Sequence, residues 1–206
     1  MGRRSLWSGL LIAAGLLLCA VSVRHYARGW TAQRDADALY RATNRSRAPE
    51  NPGILRASSS EDSSAHADSD SKYPFGQPIA KLKIPSAKIS YFVFGGADQE
   101  TLEKGPGHVP GTALPGEEGG ANNCVITAHR DSHFRRLGTL RPGHRIDLET
   151  PLGEKSYRVV SREIVLPNAV RVLHPTEKPR LTLITCYPFN YIGPAPKRLV
   201  VVAEPR

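Results

Sequence analysis

An all-β fold of short strands closed, or nearly closed, into one barrel is what this 206-residue chain predicts, and three observations predict it. The 17 prolines and 18 glycines disfavour helix interiors and suit a chain with many turns. From residue 79 onward, short runs rich in β-branched and alternating apolar residues fall between Gly, Pro and Asn clusters. The last of these runs contains Leu199-Val200-Val201-Val202, continuously apolar as a strand covered on both faces is. Seven to eight strands with one or two short helices, in a single domain carrying an N-terminal attachment, satisfy all three.

Taken in order, residues 1–4 hold Arg3 and Arg4 and read as a short cytoplasmic tail. Residues 5–23 contain no charged side chain. At about 1.5 Å per residue they would reach about 29 Å, one hydrocarbon thickness, which predicts a transmembrane signal anchor with the body of the protein exported. Ala20-Val21-Ser22 offers a small-x-small cleavage pattern, but the run exceeds an ordinary signal-peptide core. Residues 24–42 place Tyr26, Trp30, Ala36, Leu39 and Tyr40 at helical spacings among arginines, so two readings stay open: an amphipathic juxtamembrane helix near the headgroups, or a helix packed on the domain. Residues 43–72, with Ser58-Ser59-Ser60-Glu61-Asp62-Ser63-Ser64, have almost nothing to bury and read as a flexible tether. The folded domain is expected over 73–206. Its strands are expected at 79–84, 88–94, 123–129, 144–150, 156–166, 181–186 and 198–203, with helix-compatible pieces at 98–104 and 131–140. No later hydrophobic span follows, which predicts a single-pass protein.

Charge and cysteine usage narrow the chemistry. The 28 Lys+Arg exceed the 19 Asp+Glu, but residues 79–206 lack the basic and aromatic interleaving of a nucleic-acid groove, so no nucleic-acid partner is expected. Three cysteines exclude a multi-disulfide scaffold. Cys124 lies five residues before His129, about 17 Å along an extended strand and on the other face, so it reads as a core residue not bridged to Cys186. Cys186 ends the run Leu181-Thr182-Leu183-Ile184-Thr185 just before Tyr187-Pro188, where a thiol can reach a cleft. Arg198 opens the next strand across a short connection, so an antiparallel hairpin sets a guanidinium near that thiol. His129 ends another strand and is able to move protons near neutral pH. Thiol, imidazole and guanidinium are the ingredients of acyl transfer. His129 and His133 stand four apart with Cys124 nearby, but no fourth ligand sits at a usual spacing, so neither a metal nor a cofactor is expected.

Thr182-Leu183-Ile184-Thr185-Cys186 resembles the TLxTC signature of the sortases, with a histidine more than fifty residues upstream and an arginine twelve downstream. The stretches 105–116 and 127–134 are similar to that family too. Cys186-Tyr187-Pro188-Phe189 with Gly193-Pro194-Ala195-Pro196-Lys197-Arg198 is most similar to class D. The likeness covers residues 74 to 204. One departure is Ala128, where many relatives have glycine before the histidine; another is Ala121-Asn122-Asn123 on the approach to that strand. The resemblance implies an eight-stranded sortase β-barrel and a cysteine transpeptidase that cleaves an LPxTG-like sorting signal. Through an acyl-thioester it would pass the acyl group to an amine acceptor, a peptidoglycan stem peptide or another protein such as a pilin-like subunit. It implies Cys186 as nucleophile, His129 as acid/base, Arg198 as substrate and oxyanion partner, and Thr185 as support for the substrate carbonyl. It also implies a catalytic domain on the extracytoplasmic side of the cell membrane. An exported cysteine endopeptidase, with water resolving the same thioester, and a non-catalytic envelope-binding barrel remain as alternatives.

Overall fold

The computed structural model describes residues 2–47, 75–116 and 123–206. Residues 48–72 of the expected tether, the 73–74 start of the domain and Ala121-Asn122 lie outside the described residues. Eight strands among the described residues close a barrel: β1 Pro78–Ile84, β2 Ile89–Gly95, β3 Gly107–His108, β4 Asn123–Ala128, β5 Arg145–Thr150, β6 Gly153–Val165, β7 Arg180–Tyr187 and β8 Lys197–Pro205. Around the barrel the order is β1-β2-β3-β4-β7-β8-β6-β5. The β2–β3 and β4–β7 pairs are parallel and the other pairs antiparallel. The seven expected strands are all present, with ends shifted by a few residues. The eighth, β3, has only two residues, too few for alternation to show. Of the helix-compatible pieces, 98–104 becomes helix α2, Gln99–Lys104, capped by the Asp98 carboxylate, which accepts from the Thr101 amide at 3.0 Å. The 131–140 piece forms turns and a 3-10 segment, Leu137–Thr139, in place of an α-helix.

Inside the barrel, alternate residues of facing strands meet. Leu82 and Ile84 of β1, Ile126 of β4, Ile146 and Leu148 of β5, and Leu181 and Leu183 of β7 are all fully buried. Each such burial stabilises the fold by about 1.5–3 kcal/mol. The alternation sorts β7 into an inner row (Leu181, Leu183, Tyr187) and an outer row (Thr182, Ile184, Cys186). β4 sorts the same way, Cys124, Ile126 and Ala128 turning inward. Cys124 is thus a core residue, and Cys186 is a half-buried free thiol.

The N-terminal segment is one helix, α1, Gly2–Arg47. Among the described residues no helix is long and apolar enough to cross a membrane, so the span expected at residues 5–23 is not shown. The C-terminal part of α1 packs on the barrel. Ala36 and Tyr40 are buried against Phe92 and Phe94 of β2, with the Tyr40 and Phe92 rings 5.6 Å apart. Within 24–42, Ala32, Ala36 and Tyr40 make this contact with the domain. β2 pairs with β3 only through Phe94 and Gly95, so its earlier residues present an open edge. Gln33 covers that edge: its amide donates to the Phe92 and Lys104 carbonyls, both at 3.1 Å, and accepts from the Phe92 N–H at 2.6 Å. Gly105 is a glycine for space, since a Cβ there would run into the Gln33 amide and come within 2.8 Å of the Phe94 ring.

Gln33→Ala leaves three backbone groups without these partners, a loss of about 1–3 kcal/mol of α1 docking. The expected outcome in the full-length chain is faster amide exchange at Phe92 and along 32–40, with the β7 and β8 amides unchanged; equal protection in variant and wild type would show that the apolar face alone seats α1.

Candidate active site

Two registers assemble the site. β4 and β7 run parallel with Ala128 opposite Thr185, so the residues that follow, His129 and Cys186, stand side by side one step further along. β7 and β8 run antiparallel with Cys186 opposite Arg198. Neighbouring strands lie about 4.8 Å apart, so the three side chains occupy adjacent positions at one end of the sheet. Cys186 and Arg198 also share a face, because the alternation that turns Leu183 and Leu199 inward turns both outward, and His129 follows directly on the inward-facing Ala128.

Two threonines fasten the registers. Thr185, 1% exposed, donates its hydroxyl to the Ala128 carbonyl at 2.7 Å, fixing the residue before His129. Thr127 donates to the Ile184 carbonyl at 3.2 Å. Ala128 in the usual glycine position is therefore accommodated: its methyl joins the core and its carbonyl is satisfied. Further from the site, Thr182 donates to the Asn123 side-chain oxygen at 2.6 Å, and Asn123 donates to the carbonyls of Val172 and His174 at 2.9 and 3.1 Å. That ties the β6–β7 connection to the outer face of β4.

The Arg198 guanidinium uses Nη1 on the carbonyls of Ala195 at 3.1 Å and Lys197 at 2.9 Å; among the described residues its other nitrogens bond nothing. His129 and Cys186 are half-buried. The turn after His129 is closed by the Phe134 N–H donating to the His129 carbonyl at 3.0 Å, and Phe134 is sunk in the core. His133, in the middle of this turn, meets the Tyr91 ring edge-on at 4.9 Å. It lies beside α1, where a Cβ on Gly29 would come within 3.8 Å of its Nε2. Burial pushes the His133 imidazole down from 6.5 to about 4; nearby His129 adds to the fall and Asp131 opposes it.

One contact set was not legible beforehand. Arg130, next to His129, donates from Nη1 to the Pro188 carbonyl at 2.9 Å and from Nη2 to the carbonyls of Tyr191 and Gly193 at 2.7 and 3.0 Å. The sequence signal was the connection itself, where Pro188, Pro194 and Pro196 have no N–H to bond with.

A thiol, an imidazole and a guanidinium brought to one end of neighbouring strands are the groups that cysteine acyl transfer uses. The family model for the sortase domain matches residues 82–206, and the chain belongs to the sortase family. It is 37% identical over 130 residues to Sortase D of Bacillus subtilis (strain 168), a match covering 63% of this chain and 64% of that relative's length. Among solved structures, a Clostridium perfringens Sortase D5 transpeptidase superposes with a TM-score of 0.58 at 25% identity, over 65% of this chain and 82% of the other. Sortase C from Clostridium perfringens SM101 superposes at 0.59 and 29% identity, over 66% and 73%.

Because His133 is held below its ordinary value, the unfolded chain binds more protons than the folded one between about pH 6.5 and 4. The stability this neutral histidine contributes is complete above 6.5 and is lost as pH falls toward 4. His133→Gln is expected to flatten the acid side of the stability curve in that window relative to wild type, as read by denaturant midpoints at stepped pH.

Proposed function

We propose that this protein is a membrane-anchored cysteine transpeptidase that cleaves an LPxTG-like sorting signal and joins the carbonyl side of the cut to an amine of the cell envelope or of a pilin-like subunit. The observation that carries the reading is the pair of registers: Cys186 stands opposite Arg198, and Ala128, the residue before His129, stands opposite Thr185, the residue before Cys186. Family membership and the solved relative described as a transpeptidase support it.

In this reading the Cys186 thiolate attacks the carbonyl carbon of the cut bond. Arg198, whose guanidinium has donors to spare, meets the oxygen that gains charge. As the C–N bond breaks, the His129 imidazolium gives its proton to the departing amine, leaving an acyl-thioester on Cys186. The incoming amine then attacks the thioester, His129 takes its proton, and the thiolate leaves with a new amide formed. Thr185, expected from the resemblance to support the substrate carbonyl, is given a different part in this reading: its buried hydroxyl is donated to Ala128, so it holds the carbonyl before His129. Residues 5–23, free of charge, would anchor α1 in the cell membrane with the barrel outside.

Incubating the protein with a set of LPxTG-like peptides, with and without a small amine, is expected to give an acyl adduct by intact mass and an amide product only when amine is present. A hydrolysed product in both arms would make it an endopeptidase, and no adduct with any peptide would leave a binding barrel. Cys186→Ala is expected to abolish the adduct. Arg198→Lys keeps the charge but loses the planar fork, so turnover is expected to fall about 10²–10³-fold with Cys186 alkylation by a small reagent nearly unchanged.

A further inference from the structure

The connection 188–196 joins the strand that ends near Cys186 to the strand that opens near Arg198. Three of its nine residues are prolines without an amide proton, and among the described residues no backbone–backbone hydrogen bond closes it. Its first half is seated by apolar contact. Phe189 packs against the core, edge-on to Tyr187 at 6.0 Å, and lies over Gly138, where a Cβ would come within 2.6 Å of the ring. The second half has no such seat, since Tyr191 is 45% and Ile192 99% exposed.

Arg130 supplies what that half lacks. Its guanidinium takes the Pro188, Tyr191 and Gly193 carbonyls together, with the Tyr191 ring 5.8 Å away. Among the described residues no carboxylate pairs with it. The loop it holds also carries the Ala195 carbonyl, one of the two acceptors that orient the Arg198 guanidinium.

The geometry points to Arg130 as a positioning residue for the transfer reaction: it ties the β7–β8 loop to the turn after His129, and through the Ala195 carbonyl it sets the direction of Arg198. This rests on the transpeptidase reading above. The tie works because His129 and Arg130 are consecutive, so the turn that presents the imidazole and the loop that aims the guanidinium are fastened at one point. The cleft wall is then in place before a peptide arrives, and no binding energy is diverted to ordering it. A lysine does not replace it, because one ammonium is a point charge without the planar fork that reaches three spread carbonyls.

The test compares full-length wild type, Arg130→Gln and Arg130→Lys. In both variants peptide transfer kcat/KM is expected to fall about tenfold or more, with Cys186 alkylation by a small neutral reagent changed by less than about twofold. Chymotryptic cleavage of the folded protein within 189–193 is expected to accelerate about tenfold, with β4 and β7 amide protection unchanged. Wild-type turnover in either variant, unchanged loop cleavage, or a parallel loss of turnover and thiol reactivity overturns the proposal. Should Arg130→Gln lose protection throughout the barrel, Arg130→Lys, which keeps stem and charge, is judged by the same three measurements. A wild type that forms no adduct would overturn the transpeptidase reading, and the loop cleavage rates would still decide whether Arg130 holds the loop.

Discussion

Strand β7 is paired on both sides, parallel to β4 and antiparallel to β8, and the position of every candidate functional side chain depends on those two registers. A slip of one residue on either side would move His129 or Arg198 to the wrong face, because side chains alternate along a strand. The slip is opposed from inside by the buried row Leu181, Leu183, Val201 and Ala203, which would be turned outward. It is opposed from the strands themselves by the Thr185 to Ala128 and Thr127 to Ile184 bonds. Packing and side-chain hydrogen bonds thus select the same register, which is the consistency expected of a well-specified site.

Around that fixed strand the walls of the cleft are built from segments with little regular structure. The turn after His129 is held by Phe134 in the core and by His133 between Tyr91 and the passing α1 helix. The β7–β8 loop is held by Phe189 on one half and Arg130 on the other. The site therefore combines a rigid floor with walls fastened at a few points. In such a design a single side chain away from the reacting atoms influences the geometry of those that touch them.

The strands were legible because the barrel is closed and its inner face needs an apolar residue at every second position, a pattern visible in 79–84 and 123–129 alone. Helix α2 fell within the helix-compatible piece 98–104, and the structure adds the Asp98 cap at its start. β3 was not, since two residues show no period, and its pairing rests on glycine allowing close approach of chains. Nor was the docking of α1, where the decisive residue is Gln33. A glutamine on a helix reads as solvent-facing, and only the open edge of β2 makes it a bridging side chain. At the site, Cys186 and Arg198 were legible as hairpin neighbours because a short connection between antiparallel strands brings their ends together.

What the sequence by itself determined is the set of local propensities and reactive groups. The prolines and glycines set the turns, the alternation set the strands, and a strand-end cysteine, histidine and arginine named the chemistry. What only the tertiary structure decided is who stands beside whom across long separations. The pairing of β4 with β7 joins Ala128 to Thr185, 57 residues apart, and the Arg130 contacts reach 58 to 63 residues along the chain. The physical reason is that a parallel pair needs a crossover connection, so its register depends on the packing of everything between and leaves no trace in the local pattern.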